Sequence, residues 1–238
     1  MAITLVQSKT MVGQDGSSGS VQLAFDAAPT AGNLVVVVVF WNHTGAESAS
    51  SVNSTNDTLA EIAGATIYSA NIAQNLSIWS KGGIVGGASS QTLTATFAAN
   101  RTFRKLWLGE YAGAATSSQV DAVAEAADVT TGAPDAGTLS PTQDNDLCIS
   151  VAGSDTAAPT AAGGAGWSSL EADAGYYFSV AHQIQTTATQ RTTFWTAPTT
   201  SNAWAAVAAS FKVAVAGGGD VISPYYSHYY VPQIVQAA

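Results

Sequence analysis

The sequence has little charge and almost no cysteine. Charged residues make up 10% of its 238 residues, against about 25% in ordinary globular proteins. With 7 Lys and Arg and a net charge of −9, it is poorly suited to neutralise phosphates, so we predict no nucleic-acid partner. Its only cationic cluster, Arg101, Arg104 and Lys105, is expected to lie on a solvated strand edge. The single cysteine, Cys148, excludes an intrachain disulfide and a cysteine-based zinc site.

Membrane and export signals are also lacking. The apolar run from Val35 to Trp41 is too short to span a bilayer. The first residues have no basic region followed by an apolar stretch, so no signal peptide is predicted. We therefore expect no membrane partner.

Motifs for metal binding and nucleophilic catalysis are missing from the sequence. The three histidines, His43, His182 and His228, are scattered and have no metal-ligand spacing. No Gly-x-Ser-x-Gly elbow and no phosphate-cradling loop is present. We predict no catalytic residue, no cofactor and no bound metal. A calcium site at Asp144 to Asp146 remains an alternative, because calcium takes oxygen ligands, although capping of a turn explains these residues more simply.

Two carboxylates are candidates for glycoside hydrolysis, which uses pairs that are distant in sequence. They are Glu110 and Glu171. The favoured interpretation of Glu110 is a strand-edge residue bonded to a neighbour. An enzyme is therefore not predicted.

Strand periodicity dominates the chain and predicts an all-β fold. Asn33 to Trp41 is a β-branched run typical of a strand that is buried on both faces. Ala203 to Val215 is predicted as a strand despite the helical propensity of Ala203 to Ala209, and Ala122 to Ala127 is the other short helical candidate. We predict one domain over residues 1–215, a two-sheet antiparallel β-sandwich of jelly-roll type. The other predicted strands are Val21–Phe25, Thr66–Asn71, Asn75–Lys81, Gln91–Ala98, Lys105–Tyr111, Asp146–Ala152, Gly175–Gln185 and Arg191–Thr196.

A faint internal repeat suggests that the domain has two similar halves. Pro29-Thr precedes one apolar strand and Pro141-Thr precedes another. Later in each half, a Thr-rich strand ends near Phe97 or Phe194, and a tryptophan follows ten positions on. The turn chemistry of Pro and Thr alone could also produce the first match.

The tryptophans fall into two groups. Trp167 follows a glycine-rich segment and is the one most open to display, where it could stack on a sugar ring; sealing a loop onto the sheet is the favoured alternative. Together with Tyr176 and Tyr177 it forms the candidate glycan contact. The others lie in apolar strands and are predicted to be core residues: Trp41, Trp79, Trp107, Trp195 and Trp204.

The last 23 residues, 216–238, differ from the rest. Pro224 and Pro232 argue for an extended segment, and four tyrosines fall between Tyr225 and Tyr230. Exposed apolar and aromatic segments usually become buried against a partner, so we predict an assembly arm, with folding back onto its own domain as the alternative. Its predicted contact residues are Val221, Ile222, Tyr225, Tyr226, Tyr229, Tyr230, Ile234 and Val235.

Strand and turn patterns along residues 1–215 resemble β-sandwich modules of tailed-phage structural proteins and bacterial surface proteins. The resemblance rests on Ala24-Phe-Asp-Ala-Ala-Pro-Thr-Ala-Gly-Asn-Leu-Val-Val-Val, Ser77-Ile-Trp, Thr94-Ala-Thr-Phe, Leu108-Gly-Glu-Tyr-Ala-Gly with Val120-Asp, and Gly166-Trp.

The resemblance implies a non-enzymatic virion protein that decorates or cements a capsid, or joins a tail or fibre. Made in the host cytoplasm, it would contact other virion proteins and copies of itself. The alternative is a carbohydrate- or receptor-binding module of a tail fibre or surface protein.

Overall fold

A computed structural model describes residues 2–11, 13–129, 132–155, 157–161, 166–175, 177–191, 195–196 and 203–215. These residues form strands and no helix, and every strand pairing among them is antiparallel. The predicted all-β, antiparallel fold is confirmed. No described segment is a helix long and apolar enough to cross a membrane.

The first half of the chain contributes seven strands. They are β1 (Thr4–Thr10), β2 (Ser18–Ala24), β3 (Leu34–Asn42), β4 (Ser51–Asn53), β5 (Thr58–Ser69), β6 (Gln74–Lys81) and β7 (Thr92–Ala112). The second half contributes seven more. They are β8 (Val120–Val129), β9 (Leu147–Ser154), β10 (Thr160–Ala161), β11 (Ser168–Asp173), β12 (Phe178–Ile184), β13 (Trp195–Thr196) and β14 (Trp204–Phe211).

The first sheet closes on itself as a small barrel. Its order is β1-β7-β3-β6-β5-β4, and β4 also pairs with β7. Closure is possible because β7 is 21 residues long. Its first part pairs with β2 and β4, and its second part pairs with β1 and β3. Two strands predicted separately, Gln91–Ala98 and Lys105–Tyr111, are therefore one bent strand, and a jelly roll is not confirmed.

The outer wall of this barrel packs against the second sheet, whose order is β11-β12-β9-β14-β8. Along β3, Val35, Val37 and Val39 point into the barrel, while the residues between them point toward β9 and β14. Strand β3 is therefore buried on both faces, as its unbroken β-branched run predicts. The core between the sheets includes Val36, Val38, Phe40, Ile149, Val151, Phe178 and Val207.

The two halves share one strand topology. In the first half the order β1-β7-β3-β6-β5 uses five strands, and in the second half β8-β14-β9-β12-β11 uses five strands in the same chain order. The Pro-Thr segments lie before the equivalent strands β3 and β9, in agreement with the predicted repeat. The tryptophan match is wrong, because Trp107 lies between the sheets and Trp204 lies on the outer face of the second sheet.

A carboxylate holds the Pro-Thr turn in each half. The Thr30 N–H donates to Glu110 Oε1 at 2.8 Å, and both the N–H and the hydroxyl of Thr142 donate to Asp121. Asp146, buried beside Asp121, has its pKa raised to about 7 by burial and by that neighbouring carboxyl. In both halves, therefore, a carboxylate accepts a hydrogen bond from the threonine of the turn that precedes the equivalent strand, β3 or β9.

The other local expectations have mixed outcomes. Residues Ala122 to Ala127 belong to β8. Of Ala203 to Ala209, all but the first residue belong to β14, so both alanine-rich segments form strands. Burial in a sheet outweighs the helical propensity of alanine here. Of Arg191–Thr196, only Trp195–Thr196 is a described strand.

The cationic cluster does not lie on a solvated strand edge. Lys105 is fully buried, Arg104 is buried and donates to the carbonyls of Ser20 and Gly16, and Arg101 pairs with Glu47. The prediction of a solvated cluster is wrong, because β7 is an inner strand with neighbours on both sides.

Candidate functional site

A concave surface lies at one end of the molecule, where β3 and β9 finish. Two short connections flank it: the turn of residues 70–73 between β5 and β6, and the connection between β11 and β12, of which residues 174, 175 and 177 are described. The cavity has a volume of about 250 Å³. Its lining comes from both halves of the chain: Phe40, Asn42, Ile72, Gln74, Phe103, Asp155, Gly175 and Tyr177. We call this cavity the aromatic pocket.

Two aromatic residues of this pocket sit on strained backbone. Phe103 has φ of 46° and Tyr177 has φ of 52°, a left-handed conformation that is unfavourable for bulky side chains. Phe103 lies where the register between β3 and β7 shifts, and 45% of it is exposed. Strain of this kind persists where the surrounding structure enforces it, and it clusters at functional sites. The fold thus holds an aromatic ring at the surface at a cost in stability.

Amide groups supply the polar part of the pocket. Gln74 is only 6% exposed, and its Nε2 donates to the Ser154 carbonyl at 3.2 Å. Among the described residues no partner is found for its Oε1, nor for Asn42 Oδ1. Gly153 makes room for the amide, since a Cβ there would lie 2.5 Å from Gln74 Oε1. Both oxygens are covered from solvent, and buried polar atoms of this kind are normally satisfied by a protein group or an ordered water. The pocket therefore combines amide side chains in its wall with an aromatic surface.

A second cavity of about 260 Å³ adjoins the first and shares Asn42 with it. Its other lining residues are His43, Thr44, Ala73, Asn100, Arg101 and Thr102. We call it the polar pocket. Its one guanidinium is occupied: Arg101 Nε and one terminal nitrogen donate to the Glu47 carboxylate, and the other donates to the Asn100 carbonyl at 2.9 Å. This pairing lowers the pKa of Glu47.

A buried ion cluster supports the turn that carries Tyr177. Lys105 Nζ, fully buried on β7, lies 3.1 Å from Glu171 Oε1 and also pairs with Asp173. The other oxygen of Asp173 accepts the Gly175 N–H at 2.8 Å. Lys105 of the first half therefore fixes a turn of the second half, and with it the aromatic wall of the pocket.

The candidate glycan contacts have different fates. Tyr177 lines the aromatic pocket, while Tyr176 lies outside the described residues. Trp167 is 4% exposed and packs with Trp195 and Trp204 on the outer face of the second sheet. It seals its loop onto the sheet, the favoured alternative, and is not displayed. All five other tryptophans are buried, as predicted. The predicted arm contacts lie outside the described residues: Val221, Ile222, Tyr225, Tyr226, Tyr229, Tyr230, Ile234 and Val235.

The carboxylates considered for hydrolysis are not brought together. Glu110 is fully buried in an inner strand, not at a strand edge, and accepts from Asn33 Nδ2 and Gln7 Nε2, each at 2.6 Å. It lies five residues from Lys105 in a continuous part of β7, so the two side chains point to opposite faces. Glu171 contacts Lys105, which places it across the sheet from Glu110.

Three further titratable residues, His182, Cys148 and Asp144, contact neighbours within the fold. His182 Nδ1 lies 3.2 Å from the Tyr111 hydroxyl, and burial lowers the His182 pKa. Cys148 is buried, which raises its pKa to about 12. Asp144 Oδ1 accepts the Ala188 N–H at 2.6 Å. Within the described ranges no three His, Cys, Asp or Glu side chains form a group that could hold a metal ion.

Sequence reasoning missed most of the pocket. Asn42, Gln74, Phe103 and Asp155 were not singled out, because each is an isolated polar or aromatic residue with no motif around it. Phe103 is the one pocket residue that the sequence could have indicated, because it is a large aromatic residue flanked by polar residues, Thr102 and Arg104.

No protein-family model, curated protein or solved structure matches this chain.

Proposed function

We propose that this protein is a non-enzymatic carbohydrate-binding module and that the aromatic pocket is its binding site. The observation that carries the proposal is the juxtaposition of exposed Phe103 and half-buried Tyr177 with the amide side chains of Asn42 and Gln74 in the wall of one pocket. Aromatic faces pack on the C–H surfaces of sugar rings, while amides and carboxylates bond the hydroxyls. Asp155 adds a carboxylate acceptor at the rim.

Binding without hydrolysis is the better explanation of the geometry. Glu110 of the first sheet points away from the second sheet, which carries Glu171, so β7 lies between the two carboxylates considered for hydrolysis. A glycosidase needs its carboxyl pair about 5–10 Å apart across one bond. Asp155 is the single carboxylate that the described residues place in the aromatic pocket. A pocket with one carboxylate and two amide side chains is suited to hold a sugar and to leave its linkages intact.

Retention on immobilised polysaccharides tests the proposal. Full-length protein is passed over neutral polysaccharides, and the eluate is assayed for released reducing ends. We expect retention without hydrolysis, and loss of retention in Tyr177→Ala and Phe103→Ala. Val85→Ala is the matched control, because Val85 is an exposed apolar residue in the β6–β7 connection, beside the start of β3 and away from the pocket. Failure of the wild type to bind any polysaccharide, or equal loss in the control, would refute the proposal.

A virion structural role is our second proposal, and it is compatible with the first in a fibre or decoration protein. It is supported by the weakly charged composition and by the Tyr- and Pro-rich residues 216–238, proposed as the arm that contacts other virion proteins or copies of this chain. The finer fold assignment, a jelly-roll-like β-sandwich over residues 1–215, is likewise a proposal. The packing of the two repeated halves supports it, and the closure of the first sheet is its departure from that form.

A further inference from the structure

We infer, building on the proposed carbohydrate-binding function, that the site takes an extended, uncharged glycan chain that spans both pockets across Asn42. The aromatic and polar pockets have volumes of about 250 and 260 Å³, each below the range of about 300–1,000 Å³ that is usual for ligand sites. Joined through their shared residue, the two lie inside that range.

The junction between the pockets favours one continuous ligand. Asn42 lines both, and its Oδ1 has no partner among the described residues. The 70–73 turn also borders both, through Ile72 on one side and Ala73 on the other, as does β7 through Phe103 and Thr102. The two pockets therefore share a wall formed by Asn42, residues 72–73 and residues 102–103, so one ligand can extend from one pocket into the other.

The charges of the site exclude acidic sugars. Among the described residues Arg101 is the only Lys or Arg that lines either pocket, and all three of its nitrogens donate to Glu47 or to the Asn100 carbonyl. Asp155 is exposed at the aromatic pocket, and the chain as a whole carries −9. A uronate or phosphate would meet the Asp155 carboxylate and a guanidinium whose charge is already offset by Glu47, so repulsion disfavours it.

The two pockets offer different kinds of contact to a ligand. The aromatic pocket supplies Phe103 and Tyr177 for stacking, whereas His43, Thr44 and Asn100 of the polar pocket supply only hydrogen-bonding groups. We therefore expect the aromatic pocket to hold the first ring and the polar pocket to add affinity for each further ring.

Isothermal titration of full-length protein with defined sugars tests this inference. The probes are mono-, di- and tetrasaccharides of glucose, galactose and N-acetylglucosamine, with tetragalacturonate as the acidic match for the galactose series. We expect one neutral series to bind, with affinity about tenfold or more higher for the tetrasaccharide than for the monosaccharide, as one additional pair of hydrogen bonds would give. Tetragalacturonate should bind at least tenfold more weakly than its neutral match.

Variants locate the second ring. His43→Ala combined with Asn100→Ala should lower tetrasaccharide affinity and leave monosaccharide affinity unchanged, while Tyr177→Ala should lower both. Equal affinity of wild type for mono- and tetrasaccharides would overturn the extended site and leave the proposed function standing. Equal or tighter binding of tetragalacturonate would overturn the charge selection. If no sugar binds at any length, the proposed function itself fails. Because the length and charge comparisons use wild-type protein, misfolding of a variant does not affect them.

Discussion

Ala73 and Tyr177 occupy the same position in the two halves of the fold. Each is the last residue of the connection between two strands, with φ of 51° and 52°, and each carbonyl accepts a hydrogen bond from the end of the adjacent strand, from His43 N–H at 2.9 Å and from Ser154 N–H at 3.0 Å. One half places a methyl group there and the other a phenol. The aromatic pocket thus lies between equivalent turns of the two halves, and one of these turns supplies Tyr177, an aromatic side chain of the pocket.

Replacing Phe103 by glycine should separate stability from binding. Relief of the left-handed backbone strain, about 1 kcal/mol or more, should offset the greater flexibility of glycine in the unfolded chain. We expect Phe103→Gly to melt at or above the wild-type temperature and to lose polysaccharide retention. Differential scanning fluorimetry and affinity electrophoresis measure the two effects. A marked drop in melting temperature would indicate that the ring serves the core and not a ligand.

Replacing Lys105 by methionine should both destabilise the protein and weaken binding. The variant leaves Glu171 and Asp173 without their buried cation, at a cost of roughly 2–4 kcal/mol, and it loosens the turn that carries Tyr177. Urea denaturation and glycan titration measure the two effects.

Lys9→Met is the matched control for this experiment. It breaks the Lys9–Asp26 pair, in which Asp26 is largely exposed, and exposed pairs contribute about 0–1 kcal/mol. Equal effects of Lys105→Met and Lys9→Met would contradict the structural role of the buried cluster.

The Asp121–Asp146 pair should make stability fall as pH rises. The folded-state pKa of Asp146 is about 7, raised from an ordinary value of 3.8, so the folded protein holds a proton that the unfolded chain releases. The stabilisation is therefore complete below pH 4 and is lost as pH rises to about 7. Nearby Lys212 lies 3.8 Å from Asp121 and offsets part of the repulsion.

Asp146→Asn tests this pH dependence. An amide would donate to Asp121 at every pH, as Asn33 donates to Glu110 in the equivalent turn of the first half. Relative to wild type, we expect the variant to gain on the order of 2 kcal/mol of stability between pH 5 and pH 8, measured by urea denaturation. Comparing the two proteins at each pH cancels the contribution of the histidines. A difference that stays constant with pH would show that the pair shares no proton.

Deleting residues 216–238 should leave the β domain folded and abolish assembly. Burying four tyrosines together with Val221, Ile222, Ile234 and Val235 removes several hundred Å² of apolar surface, on the order of 10 kcal/mol before ordering costs. Size-exclusion chromatography of the full chain and of residues 1–215 compares their association. If truncation sharply lowers the melting temperature of the isolated domain, the tail belongs to its own core and the arm hypothesis fails.

The sequence by itself determined the strand content and much of the core. The β-branched run of β3, the alternation in β2 and the tryptophans in apolar segments are patterns of apolar residues along short stretches of chain. Such patterns follow directly from which faces of a strand are buried. The Pro-Thr turns before β3 and β9 also revealed the repeat, because turn chemistry is local.

Only the tertiary structure decided how the sheets close and what meets at the pocket. The closure of the first sheet depends on the pairing of β7 with β4, a contact between segments more than forty residues apart. The pocket joins Asn42, Gln74, Phe103, Asp155 and Tyr177 from five segments, none of which carries a motif of its own. Long-range pairing leaves no periodic trace in a sequence, so a site assembled from isolated residues becomes visible only when the chain is folded.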